Sequence, residues 1–105
     1  MSKTLTKGNV IVEDLKIGDV IYEYGYGQEM KSTVITLPVK EERDEDNYWT
    51  WKTKTESGDE IDYGVSDKYP HYSPNIYTYP AYRDMDTWTE EEWKLFKLAN
   101  EQKNG

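Results

Sequence analysis

The stretch YWTWKTKTESGDEIDYGV, from Tyr48 to Val65, decides the fold of this chain. Its first eight residues alternate, so Trp49 and Trp51 fall on one face of a strand while lysines fall on the other. The segment that follows contains the turn residue Gly58, and the chain then returns with apolar residues at every second position. This pattern predicts a β-hairpin with one face turned to a core.

Further strand patterns lie on both sides of this hairpin. An alternating run follows a Gly-Asp turn signal and ends at Tyr24, and residues 31–39 form a second run rich in β-branched side chains. Residues 41–47, EERDEDN, are highly charged and show no apolar period, which predicts an exposed loop. Residues 75–79 are expected to form a last short strand between two prolines.

The C-terminal segment has the signals of a helix start. Thr89 and Glu92 form a capping-box pattern, and Trp88 is placed to pack against Trp93 as a hydrophobic staple. An apolar stripe at helical spacing then continues for about fourteen residues. The side chains expected to dock this helix on the sheet are Trp93, Phe96 and Leu98.

The segment LKIGDVIYEY, residues 15–24, leads into short antiparallel strands. In this it resembles the opening of small SH3-like barrels, and the resemblance spans residues 13–79. It implies a small antiparallel β-sheet or SH3-like β-barrel of four to five strands. With one C-terminal α-helix packed on that sheet, the predicted fold class is α+β. The length of 105 residues fits a single domain, 1–105, with a β body at 13–86 and a helix at 87–105.

Aromatic rings dominate the apolar residues of this chain. Ten tyrosines, four tryptophans and one phenylalanine stand in a sequence that is only 35% hydrophobic. Rings bury a large area while keeping a polar atom available, so the core is predicted to be built from them. The residues expected in the core are Trp49, Trp51, Tyr63, Trp93 and Phe96.

Several kinds of site are not expected. The chain has no cysteine, which excludes disulfides and cysteine-ligated metal sites. Asp44–Asn47 and Asp84–Asp86 resemble calcium loops but lack the glycine and the final glutamate of that template. Gly25–Gly27 is not a phosphate cradle, because no helix pattern follows it. No cofactor and no metal are therefore expected.

The chain also shows no signal-peptide run and no membrane-spanning run. The expected location is the cytoplasm of a bacterial cell or of an infected host, and no membrane partner is expected.

The candidate catalytic groups are the single histidine and one pair of acids. His71 can be matched with Ser66 or Ser73, but no nucleophile motif surrounds them. Glu60 and Asp62 would project from one face of a strand, so the paired carboxylates of a glycoside hydrolase are considered. A catalytic acid also needs an apolar pocket, which a chain of this size rarely builds around two carboxylates. The protein is therefore predicted not to be an enzyme.

Negative charge is concentrated in the middle of the chain. The net charge is −8, and residues 41–92 hold fifteen acids against five bases. A field of one sign repels nucleic acid and attracts basic protein surfaces, so direct nucleic-acid binding is not expected. The acids are expected to form a continuous negative strip. The predicted contacts with a basic partner are Glu41, Glu42, Asp44, Glu45, Asp46, Asp59, Glu60 and Asp62.

Tyrosines crowd beside prolines in the segment YPHYSPNIYTYPAY, residues 69–82. Proline stiffens the chain there and limits regular strand pairing. Tyrosine is favoured at recognition sites because it buries a large area at low entropic cost. The alternative is a satellite cluster of rings packed under a long loop. The tyrosines predicted to contact a partner are Tyr69, Tyr72, Tyr77, Tyr79 and Tyr82.

These patterns favour attachment over catalysis. The first hypothesis is an acidic protein-binding module, a phage or bacterial inhibitor or adaptor that engages a basic surface of a nucleic-acid-processing protein by mimicking nucleic-acid charge. The second is a small structural or assembly protein that uses the tyrosine and proline segment. The third is a carbohydrate-binding module, because exposed rings stack on sugar faces.

Overall fold

The computed structural model describes residues 3–104, so Met1, Ser2 and Gly105, at the ends of the predicted domain, lie outside the described residues. Within this range the strands and the helix are β1 (Val20–Gly25), β2 (Gln28–Val34), β3 (Val39–Arg43), β4 (Asp46–Thr55), β5 (Glu60–Ser66), β6 (Ile76–Tyr77) and α1 (Glu90–Asn104). Short 3-10 turns occupy Val12–Asp14, Pro70–Tyr72 and Met85–Thr87.

The long strand β4 organises the sheet. Tyr48 pairs with Glu41 of β3 along one edge and with Ser66 of β5 along the other. Farther along β4, Thr53 pairs with Val34 of β2, and β1 and β6 continue the sheet beyond β2. All pairs are antiparallel, and the sheet curls into a half-barrel. The predicted α+β class, a small barrel-like sheet with one C-terminal helix, is confirmed.

The prediction of an exposed loop at residues 41–47 is wrong, because this segment forms most of the β3–β4 hairpin. Only Asp44 and Glu45 form the turn, and Asp44 has a positive φ of 52°. The guanidinium of Arg43 lies 4.3 Å from the centre of the Tyr48 ring, a cross-strand contact that needs no apolar period. An edge strand that faces solvent carries charges readily. With β3, residues 3–104 contain six strands, where four or five were predicted.

The core fills the concave face of the sheet and is mostly aliphatic. Its buried members are Val10, Val12, Leu15, Ile21, Val34, Trp51, Tyr63, Val65 and Ile76. Trp51 and Tyr63 stack at 5.4 Å between ring centres, as expected for core residues. The prediction of a core built from rings is otherwise wrong. The inside of a small curled sheet is narrow, and β-branched side chains fill it with less volume than rings.

The remaining predicted core rings lie at the margin. Trp49 is half-buried against the core, and Phe96 is half-buried on the helix. Trp93 keeps 36% of its surface exposed, so its assignment to the core is wrong.

The N-terminal segment supplies core residues that the sequence did not predict. Val10 and Val12 precede the predicted β body, yet both are buried. The backbone amide of Asn9 donates to the carbonyl of Ile76 at 3.0 Å, which ties the segment to β6. A Cβ at Gly8 would lie 1.5 Å from that carbonyl oxygen, so only glycine allows this close approach.

The start of the helix follows the prediction. The backbone amide of Thr89 donates to Glu92 Oε1 at 2.9 Å, and the amide of Glu92 donates to Thr89 Oγ1 at 3.2 Å. The Trp88 and Trp93 rings lie 4.7 Å apart. Both the capping box and the hydrophobic staple are confirmed.

The helix docks differently from the prediction. Leu98 is 54% exposed and is not a docking residue. Phe96 packs edge-on against Tyr79 at 5.0 Å, as predicted for a docking side chain. Among the helix side chains whose burial is described, residues 90–101, the most buried are instead Glu92 and Ala99. The helix therefore meets the convex face of the sheet through its capped end and a layer of rings.

Candidate binding surfaces

The first predicted acidic group surrounds the β3–β4 turn and consists of Glu41, Glu42, Asp44, Glu45 and Asp46. Glu41 pairs with the Arg43 guanidinium at 2.7 Å. Asp46 accepts hydrogen bonds from the Ser66 hydroxyl and from the backbone amide of Lys68. Two of the five carboxylates are thus engaged within the fold, one along β3 and one between β4 and the end of β5, and the other three are exposed.

The second predicted acidic group surrounds the β4–β5 turn and consists of Asp59, Glu60 and Asp62. Asp59 accepts from the Ser57 hydroxyl at 3.1 Å and so supports its own turn. Glu60 lies opposite Lys54 in the register of the two strands, and Asp62 lies opposite Lys52. Both acids are exposed, so no apolar pocket surrounds them of the kind that a catalytic acid requires.

The two acidic groups do not form one continuous strip, which corrects that expectation. They lie at opposite ends of β4, whose ten residues span roughly 30 Å. Lys52 and Lys54 lie directly opposite Asp62 and Glu60, so basic side chains stand within the second group. The two groups of acids are near each other in the sequence, but the length of β4 separates them in space.

The predicted contact tyrosines divide into two places. Tyr69 and Tyr72 are exposed on the 3-10 turn after β5, and Tyr72 packs against His71 at 4.2 Å between ring centres. Tyr79 is half-buried against Phe96 of α1, Tyr77 is half-buried beside Tyr79, and Tyr82 is exposed next to Tyr77. Three of the five rings are therefore exposed and two are half-buried in a cluster of rings. Their contact with a partner stays a prediction.

His71 is exposed and is not paired with either candidate serine. The Ser66 hydroxyl donates to Asp46. The Ser73 hydroxyl donates to the carbonyl of Pro70 and accepts from the backbone amide of Lys7. Both hydroxyls thus act within the fold.

A large cleft lies where the helix start faces the β4–β5 turn. Its volume is about 900 Å³, and we call it the glutamate cleft after the acids that line it, which are Glu29, Glu56, Glu90, Glu91 and Glu92. Two cations also line it, Lys31 and Arg83. Lys31 lies 3.7 Å from Glu56, and Arg83 contacts both Glu29 and Glu92. The sequence patterns did not point to this cleft.

Arg83 and Glu92 form the electrostatic centre of the cleft wall. The Arg83 guanidinium lies 2.9 Å from Glu92 and 2.6 Å from Glu29, and the Tyr22 hydroxyl donates to Glu92 at 3.1 Å. Burial alone would raise the pKa of the Glu92 carboxyl, but the backbone amide of Thr89 and the contacts with Arg83 and Tyr22 lower it below its usual value. Burial and the nearby Glu92 charge raise the pKa of Tyr22.

A second concavity lies beside the β1–β2 hairpin. Its volume is about 510 Å³, and we call it the aromatic pocket, lined by Tyr24, Gly25, Gly27, Gln28, Asn75 and Tyr82. Glu29 and Arg83 separate it from the glutamate cleft, since both line each of them. The Tyr24 and Tyr82 rings meet edge to face at 4.7 Å.

Hydrogen bonds hold the tyrosines of this pocket in place. The Tyr24 hydroxyl donates to Glu29, and burial raises the pKa of Tyr24 to about 12. The hydroxyls of Tyr77 and Tyr82 lie 3.1 Å apart. This bond raises the pKa of Tyr77 to about 12 and lowers that of Tyr82. The rings are thus fixed before any ligand arrives, which reduces the entropic cost of binding.

The acids that resemble calcium loops serve local structure. Asp44 lies in the β3–β4 turn, and the Asp84 side chain accepts from the backbone amide of Asp86. In the part of the chain that the structure describes, no group of three or more His, Cys, Asp or Glu residues is placed to hold a metal ion.

Comparisons with known proteins find no match, whether against family models, curated proteins or solved structures. Among residues 3–104, no helix combines the length and the apolar character needed to cross a membrane. The two concavities and the exposed rings are therefore the features from which function is argued.

Proposed function

We propose that this protein is a non-enzymatic binding module that holds a basic group of a protein partner in the glutamate cleft. The observation that carries the proposal is the convergence of five glutamates from three separate segments on one concave surface of about 900 Å³. Concave surfaces lined with one sign of charge concentrate the field and attract ligands of the opposite sign.

The charge of the cleft remains negative after its internal pairs are counted. Arg83 is held by Glu29 and Glu92, and Lys31 lies near Glu56. Glu90 and Glu91 are exposed at the helix start. Their carboxylates also stabilise the helix dipole, but two adjacent exposed acids beside an open cleft suit an incoming lysine or arginine.

The partner class follows from the charge of the whole chain. A net charge of −8 on a small body favours fast association with basic surfaces, and proteins that handle nucleic acid carry such surfaces. The module acts as an inhibitor or adaptor of bacterial or phage origin that occupies a surface otherwise used by phosphates. Three exposed acids at the β3–β4 turn supply a second, distant contact.

The test compares matched neutral substitutions at the two ends of the molecule. The double variant Glu90→Gln/Glu91→Gln is expected to weaken binding of a lysine-rich peptide by about threefold to tenfold, measured by isothermal titration at low salt. The matched variant Glu42→Gln/Glu45→Gln removes the same charge at the second, distant contact and is expected to weaken peptide binding less, because the cleft is proposed to hold the basic group. Equal losses from both variants, or affinity that does not fall with added salt, would contradict the proposal.

Charge mimicry has its own test. The protein is immobilised on a solid support and incubated with native cytoplasm at low salt. The captured proteins are then identified by mass spectrometry. A double-stranded DNA fragment is expected to displace the captured protein. A partner that DNA leaves in place would contradict the mimicry while leaving a basic-surface partner intact.

The exposed pair Tyr69 and Tyr72 favours a second candidate, assembly with further copies or with a larger shell. These rings lie together on the turn after β5, with Tyr72 exposed by 79%. Attachment through rings is expected to be insensitive to salt. Sedimentation of the protein at high salt distinguishes this candidate. A stable oligomer that dissociates in the variant Tyr72→Ala would support it.

A further inference from the structure

The strand β3 leaves one edge of the sheet without a partner. It is the last strand on its side of the sheet, and it pairs only with β4. Within residues 3–104, no backbone hydrogen bond outside that ladder involves Val39–Arg43. An edge of this kind can add a further strand through its unpaired backbone groups.

The register fixes which backbone groups of β3 point outward. On the β5 side of β4, the carbonyl of Asn47 accepts from the amide of Asp67, the residue after β5. Successive strand residues point these groups to alternate sides, so every second residue of β4, starting with Asp46, points them towards β3. Their partners in β3 are Val39, Glu41 and Arg43. The amides and carbonyls of Lys40 and Glu42 therefore point outward.

We propose that this edge pairs with the same edge of a second copy, so that two β3 strands meet antiparallel about a two-fold axis at Glu41. In this register Lys40 of each copy lies opposite Glu42 of the other. These are the positions with outward backbone groups, so each pair forms two backbone hydrogen bonds and also brings opposite charges together.

The charges of the edge select this register over its neighbours. A shift by two residues brings Lys40 opposite Lys40 in one direction and Glu42 opposite Glu42 in the other, and like charges directly opposite are unfavourable. A shift by one residue sets the outward backbone groups against residues whose groups point to β4. Charges on an edge strand usually discourage pairing, and here they leave one favourable arrangement.

The centre of the pairing is also balanced in charge. The two Glu41 side chains meet at the axis, but within each copy the Arg43 guanidinium lies 2.7 Å from Glu41. In the proposed register Arg43 is diagonal to Glu41 of the second copy, a separation that a long side chain can bridge. Two glutamates and two arginines thus alternate across the axis.

The occupant is a second copy because the strand complements itself. Residues 39–43 carry two acids and two bases, so the edge is neutral although the chain is strongly acidic. By contrast β5, which also pairs only with β4, has Glu60 and Asp62 as its charged residues, and self-pairing there would repel. The contact is small, so a weak and reversible dimer is expected. The inference does not depend on the glutamate cleft, which lies at the other end of β4.

The test reverses charges in the full chain and measures self-association by sedimentation equilibrium, at about 0.15 M salt to screen the repulsion between acidic copies. Lys40→Glu and Glu42→Lys are each expected to weaken the dimer by about tenfold or more, because each sets like charges opposite one another. An equimolar mixture of the two variants should associate again, since each then presents the charges that the other lacks. Lys16→Glu, an exposed site outside β3, changes the net charge equally and should leave the dimer intact.

Amide NMR locates the contact. On raising the concentration of the parent chain, the amides of Lys40 and Glu42 should exchange more slowly, while that of Glu41, already bonded to β4, should change less. Both substituted side chains are exposed, so the fold should persist, and circular dichroism checks this. The proposal is overturned if the parent chain stays monomeric at about 1 mM, or if the mixed variants do not associate. It is also overturned if Tyr72→Ala dissociates the dimer while Lys40→Glu does not, which would assign association to the exposed rings.

Discussion

The two faces of β1 are both covered, but by different interactions. On the concave face Ile21 is buried among Val10, Val34 and other aliphatic side chains. On the convex face Tyr22 is equally buried, yet its hydroxyl bonds to the helix carboxylate Glu92, which in turn holds Arg83. One face depends on apolar burial, and the other depends on directed contacts between charged and polar groups.

This difference implies that the two faces respond to different perturbations. Apolar burial depends on the area removed from water and is insensitive to pH and to charge. The convex-face contacts depend on an ionised carboxylate and on a precise arrangement at the helix start. The concave face is therefore expected to determine the stability of the sheet, and the convex face to determine whether the helix stays docked.

The largest effect is expected on the concave face. Ile21→Ala should lower the free energy of unfolding by about 3 kcal/mol, because it removes buried methyl groups and leaves a cavity in a closely packed core. Urea denaturation measures the change. Ile17→Ala, at a site that is 63% exposed, is the control and should change stability by less than about 0.5 kcal/mol. Similar losses from both variants would contradict the assignment of the core.

The next effect separates the two roles of Glu92. Glu92→Ala should cost about 2 kcal/mol, because it removes the capping box and leaves Arg83 with one fewer carboxylate. Glu92→Gln keeps an acceptor for the Thr89 amide and should cost about half as much. Amide exchange should show faster opening of α1 with little change in β4. A uniform increase in exchange across the sheet would mean that the faces are not separable.

The neighbouring acid provides the matched control for that comparison. Glu91→Ala lies one residue away on the same turn but is exposed. It should cost about 0.5 kcal/mol through the helix dipole alone.

A third effect is expected on acidification. The pKa of Glu92 is lower in the folded protein than its ordinary value of 4.5, so its stabilisation is fully present above about pH 4.5. It is lost as the pH falls through the lower folded-state pKa. The stability difference between the parent chain and Glu92→Gln should therefore shrink from about 1 kcal/mol at neutral pH towards zero in strong acid. Urea midpoints measured across pH test this, and a constant difference would exclude the charge as its cause.

The smallest effect concerns the tip of the β1–β2 hairpin, which is covered neither by the core nor by the helix. Tyr26 is fully exposed and has a positive φ of 53°. Asparagine tolerates that conformation better than tyrosine in a tight hairpin turn. Tyr26→Asn should therefore raise the free energy of unfolding by about 0.5–1 kcal/mol, seen as a higher melting temperature. A loss of stability would mean that the exposed ring makes a contact in solution.

Local patterns predicted local structure well. The alternation around Trp51, the capping box at Thr89 and the staple at Trp88 all depend on neighbours within a few residues, and each was confirmed. The β3 strand was missed because it is an exposed edge strand, for which charge replaces the apolar period. The core contribution of Val10 was missed because its partner Ile76 is distant in sequence.

The candidate sites were less predictable than the fold. The predicted acids are close in sequence, but β4 carries them to opposite ends of the sheet. Glu29 and Glu56 had no local signal, since they meet the helix start only after the sheet has formed. The aromatic pocket combines Gly25 with Tyr82 for the same reason.

The sequence by itself determined the α+β class, the hairpin at Tyr48–Val65, the capped helix and the negative charge of the chain. These properties depend on composition and on interactions within a few residues. The tertiary structure alone decided which acids converge, which rings are buried and where a pocket opens. Those outcomes depend on contacts between distant segments, whose energies appear only when the sheet curls and the helix packs against its convex face.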